Sequence, residues 1–267
     1  MSVFKYILLL VILGIIFSCE KKIDKVLPEN NFNDIIIDAF IIDEYKNQEI
    51  KLSVPGLNQN DSLIPISEAR VFIKGDNKIY YFTESDSLKG YYFSDSLFAP
   101  VIGVNYYLEV GYKSKKYTAE TFMLPVKQFV PLTYALDADH NEYKITWVAN
   151  VYDPGEQAMY EVLINPNNDN DSLNIRAFYY SFNTVDVSQA FANDPVEIYF
   201  PHGSKIIEKK YSLTPEYAKY LRALASETMW QGTVFSEAPS NLPTNIEGGA
   251  MGFFSVCAVS SIEINIP

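Results

Sequence analysis

Cysteine, histidine and tryptophan are scarce in this 267-residue chain, with two of each. The two histidines, His140 and His202, stand far apart and form no His-Glu-x-x-His or similar metal spacing. No Gly-x-Ser-x-Gly elbow is present. The nearest stretch, Pro201-His202-Gly203-Ser204, runs on into Lys205 and Ile206 and reads as a loop turn. Gly248-Gly249-Ala250-Met251-Gly252 is glycine-rich, but it does not lead from a strand into a helix as a phosphate cradle requires, so it reads as a bend or bulge beside a strand. Asn167, Asp169 and Asp171 alternate like the opening of an EF-hand loop. Yet Ser172 stands where glycine is needed and Phe178 where the bidentate glutamate belongs, so 165–174 reads as a solvated hairpin loop. Carboxylates are plentiful, but no spacing singles out a glycosidase pair. Basic residues are also short: 21 Lys+Arg face 33 Asp+Glu, a net charge of −12 that repels nucleic acid. The sequence therefore names no cofactor, no metal and no catalytic motif.

Long apolar runs are absent except at the start. Lys5 precedes an uninterrupted apolar stretch over 6–17, too short for the roughly 20 residues of a membrane span and of signal-peptide length. It ends in Ile16-Phe17-Ser18-Cys19, an aliphatic residue three before a cysteine with a small residue directly before it. This resembles a lipobox, although Phe17 is bulky for its place. The expectation is a lipoprotein signal peptide over 1–18, cleavage before Cys19, and acyl chains on Cys19 that hold the protein on a membrane. Several buried chains at about 0.8 kcal/mol per methylene make a stable anchor. The polar segment 19–33, with Pro28, reads as a tether. If Cys19 is lipidated, Cys257 has no partner, and its apolar setting reads as a buried strand rather than a reactive thiol.

Aromatic residues are abundant: 20 Tyr, 17 Phe and 2 Trp, a composition suited to pleated sheet. Strand signals fall at 35–42 (apolar with Asp38 inside it), 49–54, 69–74, 78–84, 91–94, 105–112 and 116–121, which suggests a small β-sandwich over 34–124. A linker follows at 124–131. The remainder, 131–267, reads as a second sandwich. Its Trp147 strand, Asp153-Pro154-Gly155 turn and Tyr160 strand resemble the B and C strands of a fibronectin type III domain. Further strands are expected at 176–182, 196–200, 206–213, 251–259 and 262–266. One helix is expected at 214–230, with Thr214 as cap, Pro215 in the first position, and Tyr217, Leu221, Leu224 and Thr228 on one face. The fold class is thus all-β: two immunoglobulin or fibronectin III-like sandwiches in tandem, the second with an inserted helix.

Asp-Ser-Leu occurs four times, ending in loops or strand ends at Ser62, Ser87, Ser96 and Ser172. The tripeptide resembles the acceptor of Bacteroidota protein O-glycosylation. Ordinary turn chemistry of Asp and Ser accounts for it equally well. Between 178 and 200 aromatics cluster, and adjacent strand residues point to opposite faces. Tyr179, Tyr180 and Phe182 are therefore candidate interface aromatics, against the plainer reading that a neighbouring element covers them.

The order of segments is informative as a set: lipobox, tether, the 35–42 strand, Ala69-Arg70-Val71-Phe72-Ile73, Gly90-Tyr91-Tyr92-Phe93, Asn105-Tyr106-Tyr107-Leu108-Glu109-Val110 and Tyr117-Thr118-Ala119-Glu120-Thr121. Phe235, Pro239, Asn245-Ile246-Glu247-Gly248-Gly249 and Gly252-Phe253-Phe254 come late in the chain. Together they resemble the Bacteroidota lipoprotein family called domain of unknown function 4249, over essentially the whole mature chain. The resemblance implies an outer-membrane lipoprotein, often encoded beside a TonB-dependent receptor, with no established enzyme activity and no catalytic residues to carry over. The functional expectation is a non-enzymatic accessory or ligand-binding partner of such a receptor. A structural or adhesive surface module and, further off, a carboxylate-based hydrolase are the alternatives.

Overall fold

A computed structural model describes residues 35–56, 62–166, 174–185, 197–228 and 242–267. The lipobox with Cys19, the tether, the 167–173 loop and Ser172 lie outside the described residues.

Alternating patterns in the first half become eight strands: β1 (Ile36–Ile42), β2 (Glu49–Val54), β3 (Ile64–Pro65), β4 (Arg70–Gly75), β5 (Lys78–Glu84), β6 (Tyr91–Ser94), β7 (Asn105–Tyr112) and β8 (Lys115–Phe122). Asp76 and Asn77 both take positive φ (51° and 56°), the geometry a two-residue hairpin needs between β4 and β5. The second half contributes β9 (Thr133–Asp137), β10 (Glu142–Trp147), β11 (Ala158–Asn165), β12 (Ile175–Ser181), β13 (Tyr199–Phe200) and β14 (Lys205–Ser212). It ends with helix α1 (Pro215–Thr228), β15 (Ile246–Glu247), β16 (Met251–Cys257) and β17 (Val259–Asn265). The all-β class with a single described helix is therefore what the chain adopts.

The arrangement of the first sheet departs from expectation. It runs β15-β8-β7-β4-β5-β6-β2-β1-β16, with β3 on β2, so strands from the end of the chain hold both of its edges. β16 pairs parallel with β1 from Ile36↔Met251 to Ile42↔Cys257. Both strands are covered on two faces over most of their length, the usual setting of parallel pairing, with Asp38 and Met251 exposed, and both read as nearly continuous apolar runs. Their inward residues Ile37, Ala39, Ile41, Phe254 and Val256 fill the main core. Their outward residues Phe40, Ile42, Phe253 and Cys257 belong to a second core under α1. In place of two facing sheets, one sheet curls into a near-barrel. The division expected at 124–131 would assign 246–257 to the second body, whereas these residues complete the first sheet.

The remaining strands form two sheets, β13-β10-β9 and β12-β11-β14-β17, packed on a third core that includes Val162, Ile164, Phe200 and Ile206. β16 and β17 are nearly continuous, and the chain steps from one body to the other at Ala258. Ser212 fastens the step: its N–H donates to Ala258 O (3.0 Å), its Oγ accepts Ala258 N–H (3.0 Å), and Oγ also donates to Leu124 O (2.8 Å). The sequence reads 251–259 as one strand because no turn residue marks the transfer.

Helix α1 is capped as expected, with Thr214 Oγ accepting the Tyr217 N–H at 3.2 Å. Its buried face is Tyr217, Ala218, Leu221 and Ala225, rotated from the face predicted through Leu224 and Thr228. Alanines at 218 and 225 allow the helix to lie close to β16, and the Tyr217 and Phe253 rings meet at 5.1 Å. Among the described residues no helix is long and apolar enough to cross a membrane.

Candidate functional site

A cleft of about 590 Å³ opens where the near-barrel meets the four-stranded sheet. Its barrel wall derives from the strand periodicity of two. Ile37, Ala39, Ile50 and Leu52 point inward, so Asp38 and Phe40 of β1 and Glu49 and Lys51 of β2 point out into the cleft. Asp38 lies opposite Lys51 in the ladder. The facing wall is built by Glu161 and Leu163 of β11, Arg176 of β12, and Lys209 and Tyr211 of β14.

The rim is pinned by Gln48, which is fully buried and wholly committed to backbone. Its Oε1 accepts Ile42 N–H (3.2 Å), and its Nε2 donates to the carbonyls of Ile42 (2.9 Å), Glu44 (2.9 Å) and Phe98 (3.0 Å). This fixes the 43–47 loop and presents Glu44 to Lys209 of the other body at 2.7 Å. Burial opposes ionisation of Glu44, but the hydrogen bond and charge of Lys209, helped by Lys46, outweigh it and hold the carboxyl below its ordinary value.

Charges on the second wall are spent on each other. Glu161 is nearly buried and accepts bonds from Arg176 Nε and Tyr211 OH, each at 2.5 Å. Burial and the bond to Glu161 push the Tyr211 phenol well up. The barrel wall differs. Asp38 and Glu49 are open to solvent within the cleft yet crowded by protein, and this desolvation raises both carboxyls. Lys51 opposes the rise at Asp38, and the neighbouring Asp38 charge adds to it at Glu49. Phe40 and Tyr211 meet edge to face at 5.3 Å beside them, Phe40 half-buried and Tyr211 buried.

A second polar centre lies inside the sandwich. Glu208 is fully buried; its Oε2 accepts Leu132 N–H at 2.8 Å, and its Oε1 has no partner among the described residues. Burial pushes this carboxyl up to about 7 against the pull of the Leu132 bond. On the outer sheet Lys144 bridges the carboxylates of Asp137 and Glu197 at 3.3 and 2.9 Å, and His140 Nδ1 lies 3.0 Å from Asp137 Oδ1. His202 lies elsewhere and its Nδ1 is 3.0 Å from Pro267 O.

The residues singled out from sequence are not brought together at the cleft. Ser62, Ser87 and Ser96 are exposed in loops or at strand ends. Tyr179 packs on the sandwich core and Tyr180 on the core under α1, where it stacks on Phe182 at 5.7 Å. Phe182 is fully buried, whereas Tyr179 and Tyr180 are half-buried against these cores. Cys257 is a buried free thiol that burial raises far above its ordinary range. In the sequence Asp38 is only an interruption of an apolar run, and Glu49 only a strand end. Their partnership requires the β1–β2 pairing to be known.

The family profile described as Domain of unknown function (DUF4249) matches residues 20–263, and no curated protein matches the chain. With nearly all of its length covered by that profile, the chain belongs to the DUF4249 family.

Proposed function

We propose that this protein is a lipid-anchored, non-enzymatic binding protein of the outer membrane that holds a ligand in the cleft between its two bodies and works as the accessory of a TonB-dependent receptor. The observation that carries the binding role is the cleft. Its volume falls within the roughly 300–1,000 Å³ of ligand sites, and it opens between two walls lined with charged and aromatic side chains. A hydrolase of the glycosidase kind needs acids flanking the scissile bond. Here the acid across the cleft, Glu161, is tied by Arg176 and Tyr211, which favours holding over cutting. Lipid anchoring rests on the Ile16-Phe17-Ser18-Cys19 pattern. The second body, three strands against four, is read as a fibronectin III-like sandwich whose last connection carries α1, β15 and β16.

Affinity capture of the tagged chain from native membranes in mild detergent tests the receptor association. Recovery of a TonB-dependent barrel in stoichiometric amount supports the role; recovery of the chain alone and monomeric contradicts it.

A further inference from the structure

Ile35 leads straight into β1, so the segment that follows Cys19 reaches the near-barrel at one end. The ladder registers show what else lies at that end. Ile36 pairs with Met251 on one side and Ser53 on the other, and β3 comes next, with Ser53 opposite Pro65 and Val54 opposite Ile64. The 85–90 loop abuts β3: Leu52 N–H donates to Gly90 O at 2.8 Å, and a Cβ at Gly90 would lie 2.8 Å from Pro65 Cβ. The β7–β8 turn at Lys113 belongs to the same end, because Gly111 pairs with Arg70 at the start of β4. Around this rim Leu63, Ile64, Leu88 and Met251 are 47, 49, 51 and 43% exposed. Single apolar residues on a surface are ordinary, but these four follow one another where the chain enters. The second body leaves from the opposite end, after Phe122 and Cys257. Charge agrees with the apolar pattern. The chain carries a net charge of −12, yet on this rim exposed Arg70, Lys89, Lys113 and Lys115 outnumber the exposed acids Glu68, Asp86 and Glu247.

We propose that this rim is a membrane seat: Leu63, Ile64, Leu88 and Met251 dip into the interface of the bilayer that holds the acyl chains, and the near-barrel stands end-on with the second body and the cleft turned away from lipid. The inference rests on the reading of Cys19 as the anchor and adds the orientation of the body. Sixteen residues separate Cys19 from Ile35, a reach of at most about 55 Å at roughly 3.3–3.6 Å per residue. The entry end can therefore rest on the bilayer without the segment having to run back along the barrel. Acyl chains keep the rim at high effective concentration beside the lipid, so a small apolar contact is enough to fix the orientation. The lysines meet anionic headgroups from which the rest of this acidic chain is repelled. Ser62 and Ser87 border the same rim, so the seat requires their Asp-Ser-Leu sites to be turn residues without glycans.

Depth-dependent quenching tests the seat. A single cysteine is placed in the full acylated chain as Leu63→Cys, Leu88→Cys or, at the far end of the barrel, Ile102→Cys, and is labelled with the environment-sensitive dye NBD; Cys257 is buried and stays unlabelled. Each chain is reconstituted in vesicles of equal parts phosphatidylethanolamine and phosphatidylglycerol, with and without doxyl-labelled lipid, and floated on a density gradient. The probes at 63 and 88 should shift to the blue and be quenched severalfold more than the probe at 102. Adding Leu88→Glu and Met251→Glu to the Leu63→Cys chain should return its probe to water. Equal quenching at both ends, or none at the rim of a chain that floats, overturns the seat while leaving the anchor in place, and leaves the rim to a protein partner or a second copy. A chain that carries no acyl mass and does not float overturns anchor and seat together.

Discussion

The side chain of Asn245 takes the place of a strand against Phe254. Its Nδ2 donates to Phe254 O at 2.8 Å, and its Oδ1 accepts Phe254 N–H at 3.0 Å. The same Nδ2 reaches Glu120 O at 3.3 Å, so one amide sews β8 to β16 at the seam of the near-barrel. Buried backbone groups must find partners, and here the curled sheet has no further strand to offer. Asn245→Ala should therefore lower stability by roughly 1–3 kcal/mol in urea unfolding, since it orphans a donor and an acceptor together. Asn245→Asp should cost more, because a carboxylate would then face two carbonyl oxygens.

The glycines around that seam give a graded series. A Cβ at Gly252 would lie 2.1 Å from Ile37 O, and one at Gly248 would lie 2.6 Å from Lys116 O, both at positive φ. A Cβ at Gly249 would meet nothing, at φ +83°. Gly249→Ala should cost only the left-handed strain of about 1–2 kcal/mol. Gly252→Ala should exceed about 4 kcal/mol or prevent folding, because the clash is with backbone of the paired strand. Thermal unfolding of the three alanine variants checks the order.

Glu208 predicts a pH dependence of stability with a definite sign. Its folded carboxyl is raised from 4.5 to about 7, so the folded state holds the proton more tightly than the unfolded chain. Its contribution to stability is full below about pH 4.5, falls as pH rises to about 7, and is flat beyond. The span is about 3 kcal/mol at 1.4 kcal/mol per unit. Glu208→Gln should flatten this part of the curve and raise the unfolding midpoint at pH 8. A loss of stability at pH 8 in that variant would contradict the assignment.

Much of this fold was legible because strands announce themselves locally. β2, β5, β6 and β7 lie where the strand signals put them. What could not be read was which strands meet. β1 and β16 are more than 200 residues apart, and nothing in an apolar run names its partner. The return of β15 and β16 to the first sheet, and so the near-barrel, followed from that hidden pairing. The rotation of α1 onto Ala218 and Ala225 likewise depended on how near β16 lay. The cleft was the least legible feature, since Asp38, Glu49 and Tyr211 come from three strands and acquire a shared meaning only in space.

Cys257 offers a simple contrast between states. It is buried at the end of β16, with its thiol raised by desolvation, and a thiol reacts through its thiolate. Iodoacetamide at pH 8 should leave it unmodified in the native protein and alkylate it fully in denaturant. Rapid native labelling would show that the core under α1 opens readily.

The most direct test of the functional account is the intact mass of the chain extracted from the cell envelope. Loss of residues 1–18 with added mass of acyl chains on Cys19, abolished in Cys19→Ser, is the predicted result. A native chain that retains its first 18 residues, or one that carries no acyl mass at Cys19, would contradict membrane anchoring and the receptor partnership built on it.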